Sequence, residues 1–509
     1  METSFYYCFL LFFFLFFLSK RLLGINKNLP PSPGVSLPII GHLHLLKKPL
    51  HRTFADLSKK YGPILYLKFG SRPAVLVSSP AAVEECFTKN DIILANRPKL
   101  LAGKHLGYDY TTLVWASYGN HWRNLRRIAS IELLSSNRIQ TFSNVRVEEV
   151  RSLARRLFRG SMDGEFMTVD MKSMLFELTL NVLMRMIAGK RYYGENTAEL
   201  DDAKKFKEIV TETFQLSGAS NIGDFVPALK WVGLTNIEKR LEILQRKRDR
   251  FMQELVEEHK RANSDDSASG KRCKTMIDVL LDLQKDEPEY YTDEIIRGMM
   301  LVMLTAGSDT SAGTLEWALT LLLNNPEALL KAREEIDTNV GQSKLIEESD
   351  IANLPYLQGI INETFRMQPA APLLPAHESS EECILGGFKI PRGTMLLVNM
   401  FAIQNDPKLW EEPTKFKPER FLSTEGKGEG LGYMLLPFGA GRRRCPGEGL
   451  AIRNIGLGLG TLIQCFEWER IGEEMVDMVE GSGLSMPKAH PLVAKCRPRP
   501  TMVHLLSNA

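Results

Sequence analysis

Cysteine is scarce in this 509-residue chain, and its spacing is uninformative for most cysteine chemistry. The seven residues, at 8, 86, 273, 383, 445, 465 and 496, include no C-x-x-C pair. A disulfide framework and a zinc ribbon are therefore not expected, and reduced thiols in a cytosol-facing protein fit best. The absence of C-x-x-C-H also removes covalent c-type haem attachment. Charge of either sign is in short excess: net charge is +3, and no basic run is interleaved with aromatics. Nucleic acid is therefore not an expected partner. Neither a dinucleotide fingerprint nor a P-loop occurs, so the chain does not itself bind a reducing dinucleotide. No internal repeat is visible.

What is present is a globular composition, 44% hydrophobic and 25% charged. Length alone predicts about three domains, yet the only strong composition break falls near residue 40. One large unit is expected beyond it. Before it, Phe5 to Leu18 is an unbroken apolar run of mainly Phe and Leu. It is short of the ~20 residues that span a bilayer, and Thr3, Ser4, Ser19 and snorkelling by Lys20 extend it. Basic residues come after the run rather than before it, and no small-x-small cleavage site appears, which argues against a cleaved signal peptide. Residues 1–24 are read as a membrane anchor, with Lys20, Arg21 and Lys27 holding the rest of the chain in the cytosol. Residues 25–41, rich in proline from Pro30 to Pro38, form a stiff hinge.

In residues 42–509, short β-like runs at Ile64–Phe69 and Ala74–Val77 read as a hairpin. From about 120 onward, 3.6-residue apolar spacing predicts helices near 121–134, 145–159, 167–188, 198–215, 236–262, 293–324, 326–339 and 355–367. Residues 394–399 read as a buried strand, while 263–271 and 424–430 read as exposed loops. The expected fold class is mainly α with minor β.

The chemistry centres on Pro437–Ala451, a glycine-rich loop with one cysteine that runs into an apolar helical pattern. A thiol at a helix start meets unpaired N–H groups and the positive end of the macrodipole, which favours thiolate. Such a thiolate can be a nucleophile, a redox group or a metal ligand. Within the loop, Gly441 can supply a turn at positive φ, Gly447 admits a flat ligand, Arg443 can meet an anion, and Phe438 offers an aromatic face. The long, largely apolar helix over 293–324 carries Ala306-Gly307-Ser308-Asp309-Thr310-Ser311, in which the carboxylate and hydroxyl of Asp309 and Thr310 stand side by side. Glu363 and Arg366 share a helix face at i, i+3, with Arg420 downstream in Pro418-Glu419-Arg420-Phe421. Trp122 and Arg126, at i, i+4, can clamp a carboxylate.

The spacing Phe438-x-x-Gly441-x-Arg443-x-Cys445-x-Gly447 resembles the haem-binding signature of the cytochrome P-450 superfamily. The other motifs keep that family's order over residues 29 to 505, and Pro372 to Trp410 resembles the plant isoflavone 2′-hydroxylase-like group. The resemblance implies haem b with Cys445 as axial thiolate. It implies a distal groove in which Ala306 and Gly307 leave room for dioxygen, Thr310 donates a hydrogen bond, and Asp309 feeds protons. It makes Glu363, Arg366 and Arg420 a buried structural network. Trp122, Arg126, Arg443 and His377 would hold the haem propionates, with Ala376 standing where plant relatives usually carry proline. It implies a lipophilic substrate, dioxygen, NADPH used through a separate reductase, and residence at the endoplasmic reticulum membrane. Arg123, Arg127, Arg442 and Arg444 would form the docking face for that reductase. The substrate pocket is expected from 101–118, 210–230, 369–375 and 482–486, with Tyr108, Tyr110, Phe214, Phe225 and Leu484 among its contents. A haem-thiolate isomerase or dehydratase that uses no external electrons remains an alternative, as does a non-catalytic haem-binding membrane protein.

Overall fold

The computed structural model describes residues 28–161, 164–194, 200–217, 222–227, 237–264, 273–422, 431–481, 483 and 485–508. Nine helices matter to the site: α1 Leu50–Tyr61, α2 Pro80–Phe87, α3 Asn120–Arg127, α4 Ser143–Gly160, α5 Met171–Ala188, α6 Leu200–Ser217, α7 Asp293–Asn324, α8 Pro355–Met367 and α9 Glu448–Cys465. The fold is mainly helical with minor sheet, as expected.

Helix α7 is the axis of the molecule. Its 32 residues make it about 48 Å long. The Thr292 side chain caps its start by accepting from Ile295 N, and Asp293 and Glu294 place acid at the positive end of its dipole. The largest apolar core gathers buried side chains of α4, α5, α7, α8 and α9. Close approach of α5 to α7 is helped by glycine, since a side chain at Gly307 would meet Leu183 of α5 at 3.0 Å. Gly307 thus faces α5, and Leu183 would have to give by a few tenths of an ångström for a larger residue to fit.

The main sheet orders β1 (Ile64–Phe69), β2 (Arg72–Val77), β7 (Met395–Val398) and β4 (His377–Glu378). The expected hairpin pairs Ile64 with Val77 and Phe69 with Arg72. Strand β7 lies inside the sheet, parallel to β2 and antiparallel to β4, and all four of its residues are buried. That burial on both faces explains an apolar run without alternation. A second sheet joins β3 (Met167–Asp170), β9 (Val493–Pro498) and β8 (Phe466–Glu469), and β5 (Cys383–Leu385) pairs with β6 (Phe388–Ile390). The helix expected from 167 thus begins only at Met171, because 167–170 pair with β9 and Asp170 then caps α5. The helix expected over 121–134 ends at Arg127 and continues as a wider π turn, Ile128–Leu133.

The proline-rich stretch is bound to the fold, since Pro31 O accepts from Tyr66 N at 2.8 Å and Asn28 O accepts from Lys389 N at 2.6 Å. The anchor over 1–24, the 424–430 loop and the 265–271 part of the other loop lie outside the described residues. Among the described residues, no helix is long and apolar enough to cross a membrane.

Candidate active site

Cys445 sits between a 3-10 turn, Gly441–Arg443, and the first turn of α9. The loop is closed by Cys445 N donating to Phe438 O at 2.9 Å. Gly439 and Gly441 take φ of 70° and 65°, the left-handed region that glycine occupies without strain. Phe438 packs edge-on against Phe365 of α8, with ring centroids 5.4 Å apart. Cys86, Cys383, Cys465 and Cys496 are buried, whereas the Cys445 sulfur is accessible.

The thiol is reachable yet ringed by protein, and that desolvation raises its pKa above the ordinary value. The Gly447 N–H, Arg126 and Arg444 pull it down without winning, while Glu448 adds to the rise. The expectation that the helix start alone yields thiolate is therefore corrected. Cys445 precedes the first helical residue by three positions, too early for the dipole to dominate.

Around the loop lies a group of guanidinium ions without carboxylates. Arg443 donates from Nε to Ala95 O and from Nη2 to Ala116 O, and its guanidinium lies 4.8 Å from the centre of the Trp122 ring. Arg126 donates to Arg444 O at 2.5 Å. Arg97, which belongs to none of the sequence motifs, donates to Pro375 O at 2.5 Å and Ala376 O at 2.8 Å. Among the described residues, none of the three has an ion-pair partner. Burial, then repulsion from Arg126, pushes the Arg443 pKa down to about 10. Burial and the neighbouring Arg443 likewise depress Arg97. Three buried or half-buried cations facing one region without a counter-charge call for an anion.

Two expected members of this clamp are placed differently. The Trp122 indole N–H donates to Leu113 O at 3.0 Å, and its ring face meets the Arg443 guanidinium. His377 is buried and donates from Nδ1 to Leu94 O at 2.7 Å. Burial first, then Arg97 and Arg443, lower its pKa, which keeps the ring neutral with no second proton to offer. His377 thus lies buried beside Arg97 and Arg443.

On α7, Ala306 is exposed within a helix whose flanking residues are largely buried, and Thr310 lies one turn further on the same side. The Thr310 hydroxyl donates back to Ala306 O at 2.7 Å, leaving its lone pairs to the open side. Asp309 accepts from Ser485 Oγ at 2.7 Å, and burial raises its pKa against the opposing effects of Ser485 and Lys172. Both residues border a cavity of about 440 Å³, with Phe176, Phe214, Trp317 and Ser485 also in its walls. Of the aromatics expected to line a pocket, Phe214 does so. Tyr108 instead donates to Asp249 at 2.7 Å, Tyr110 carries Lys99 over its ring, and Phe225 packs on Phe69. Leu484 lies outside the described residues.

Behind the loop, the network of Glu363, Arg366 and Arg420 is formed and buried. Arg366 Nε and Nη2 donate to the two Glu363 oxygens at 2.7 and 2.8 Å, Arg420 Nε adds a third bond at 3.1 Å, and Lys417 N a fourth at 3.0 Å. Arg366 Nη1 reaches Gln404 O at 2.9 Å. Trp410 lies under both guanidinium groups, at 5.4 and 6.0 Å.

An accessible sulfur, a neighbouring set of unpaired cations and an open helix face with a small residue and a hydroxyl fit a flat, dianionic, sulfur-ligated ring such as haem. Consistently, a family model described as Cytochrome P450 matches residues 30–493. The chain belongs to the cytochrome P-450 family. It is 54% identical over 485 residues to "Cytochrome P450 81Q32" of Catharanthus roseus, covering 95% of this chain and 94% of that one. It is 51% identical over 478 residues to an isoflavone 2′-hydroxylase of Glycyrrhiza echinata, covering 94% and 93%. A solved zebra fish cytochrome P450 structure with progesterone matches with a TM-score of 0.74 and 26% identity, over 89% of this chain and all of that one. The protein is a haem-thiolate monooxygenase, using haem b and electrons that originate in NADPH and arrive through a redox partner.

Proposed function

We infer that this enzyme oxidises, most simply by hydroxylation, a lipophilic plant specialised metabolite of the flavonoid, isoflavonoid, lignan, terpenoid or alkaloid type. The observation that carries the site assignment is the set of unpaired Arg97, Arg126 and Arg443 beside an accessible Cys445. Cys445 would supply the thiolate that holds the haem iron, Gly447 would keep its surroundings free of a side chain, and the Gly447 N–H steadies the sulfur. Phe438 sets the loop against α8. Arg443, Arg126 and Arg97 receive the propionates, with Trp122 and His377 shaping their seat. When bound, the haem supplies the metal charge that deprotonates the Cys445 thiol and the oxygen chemistry of the reaction.

The chain's own work is binding, orientation and proton handling. Ala306 leaves space beside the α7 backbone, Thr310 presents a hydroxyl there, and Asp309, whose pKa burial raises, is the acid that exchanges protons. Apolar walls from Phe176, Phe214 and Trp317 suit a ligand of drug-like size. The relative named as an isoflavone 2′-hydroxylase supports an aromatic, oxygen-rich substrate. Residues 1–24 anchor the enzyme in the endoplasmic reticulum membrane, 25–41 form the hinge and 42–509 the catalytic domain. NADPH–cytochrome P-450 reductase meets the exposed arginines near Cys445. That face is less positive than the sequence alone implies, since Arg444 pairs with Glu448 at 2.7 Å and Arg442 with Asp91 at 3.5 Å.

The test is a metabolite panel assayed in microsomes with reductase and NADPH. Substrate-dependent NADPH use with an oxygenated product is expected from at least one isoflavonoid or lignan. NADPH use that no member of the five compound classes stimulates would contradict the substrate reading. In parallel, Cys445→Ala is expected to abolish the reduced carbon-monoxide band of haem-thiolate proteins, and its retention would refute the ligand assignment.

A further inference from the structure

Neighbours in a helix point about 100° apart, so Asp309 and Thr310 meet their shared cavity from different directions. Among the described residues, the hydrogen bond to the Asp309 side chain comes from Ser485, not from Thr310. The backbone just after Ser485 is held in place. Its neighbour Met486 donates to Ala370 O at 3.2 Å and accepts the Trp317 indole N–H at 2.8 Å. Gly481 N donates to Pro487 O at 2.7 Å across the base of the segment. Just before it, the Glu480 carboxylate is buried between His51 at 2.8 Å and Arg52 at 2.5 Å, both on α1. A segment fastened to α1, α7 and residue 370 presents one hydroxyl to one carboxyl.

The cavity beyond Asp309 is polar on this side. Lys172 comes from α5, Lys207 from α6, Glu316 from α7 itself, and Lys488 from the Ser485 segment. Lys488 is engaged by Asp477 O and the Trp317 ring, and Glu316 by Leu492 N at 2.8 Å. Gln368, 8% exposed, also borders the cavity and keeps a buried Oε1 without a partner. An unpaired buried amide oxygen in a wall of charged groups marks a place where water is needed.

We propose that Ser485 is a positioning residue for proton delivery, its hydroxyl fixing the Asp309 carboxyl toward the hydrated side of this cavity. Asp309 gives one proton toward the Thr310 side and regains one from cavity water, with no electron moved in the exchange. This rests on the reading of Asp309 and Thr310 as the catalytic acid and alcohol. Ser485 donates to the carboxylate form, so its hydrogen bond opposes the rise that burial causes.

The test is infrared titration of the folded, haem-loaded enzyme, with the Asp309 carboxyl band identified by its loss in Asp309→Asn. In Ser485→Ala the midpoint is expected to move up by about one pH unit, the scale of one hydrogen bond to a charged group. Ser485→Thr is expected to restore it. Ser485→Cys provides a second variant of similar size and is expected to move the midpoint in the same direction as alanine. A midpoint unchanged in both alanine and cysteine variants, or not restored by threonine, would overturn the proposal. Hydrogen peroxide released per NADPH, measured with reductase and an isoflavone probe, separates the two layers. Uncoupling is expected in Thr310→Ala and in Ser485→Ala. Uncoupling in Thr310→Ala alone overturns the role of Ser485, and uncoupling in neither overturns the acid–alcohol reading beneath it.

Discussion

Two clusters of arginine in this molecule obey opposite rules. At Glu363, every oxygen of a fully buried carboxylate is engaged, by Arg366, Arg420 and the Lys417 N–H. At Arg97, Arg126 and Arg443, the donors reach only backbone carbonyls, and no acid answers them. A buried carboxylate whose oxygens are all engaged acts as a strut, even with one Arg420 nitrogen left without a hydrogen bond. Buried charge left unpaired is an unfinished site, costly until an anion arrives. The contrast separates residues that build the fold from residues that hold the cofactor.

The comparison breaks first at Glu363. Glu363→Ala strands Arg366 in the interior, a loss of about 3–5 kcal/mol. No folded protein is expected on expression, and a soluble variant with wild-type melting temperature would contradict the strut reading. Arg443→Ala should behave differently, because removing an unpaired cation relieves repulsion in the cofactor-free chain. Folded protein is expected, with haem affinity down about tenfold or more, the scale of a lost hydrogen bond to a charged group. Equal haem retention with an unfolded apoprotein would reverse the assignment. Arg97→Gln is subtler. Arg97 lowers the pKa of His377, so removing it should raise the histidine's titration midpoint in NMR. For stability, a folded pKa below ~6.5 means the unfolded state takes up protons first, so acid weakens the fold from about pH 6.5 downward. Arg97→Gln should lessen that acid loss, and an unchanged pH profile would show that Arg97 and His377 are not coupled. Smallest of all, Arg444→Ala breaks an exposed pair with Glu448 worth less than about 1 kcal/mol. Melting should barely change, while the low-salt association rate with reductase should fall. A rate independent of salt and of Arg444 would remove this residue from the docking face.

Much of the site is legible in the sequence where the signal is local. Glu363 and Arg366 sit one helical turn apart, and Phe438 through Gly447 lie in one loop, so their spacing carries their geometry. Asp309 and Thr310 stand out because a largely apolar helix has few reasons to keep a carboxylate and a hydroxyl side by side. Arg97 is not legible, since its carbonyl partners are at 375 and 376 and its repelling neighbour at 443. Only the folded chain brings them together. Ser485 falls within a stretch expected to line the pocket, but its bond to Asp309 spans 176 residues. The strand at Met167–Asp170 continues an apolar pattern shared with α5, and only its partner β9 distinguishes it. His377 and Trp122 lie where the motifs place them, yet each gives its proton to a backbone carbonyl that no spacing rule reveals.

The most direct measurement is a titration of apoprotein with haem and with its dimethyl ester, which keeps the ring and iron but lacks both carboxylates. If unpaired Arg97, Arg126 and Arg443 are the seat of the propionates, wild-type protein should strongly prefer haem, and Arg443→Ala should lose much of that preference. Equal affinity of the wild type for both forms would contradict the account.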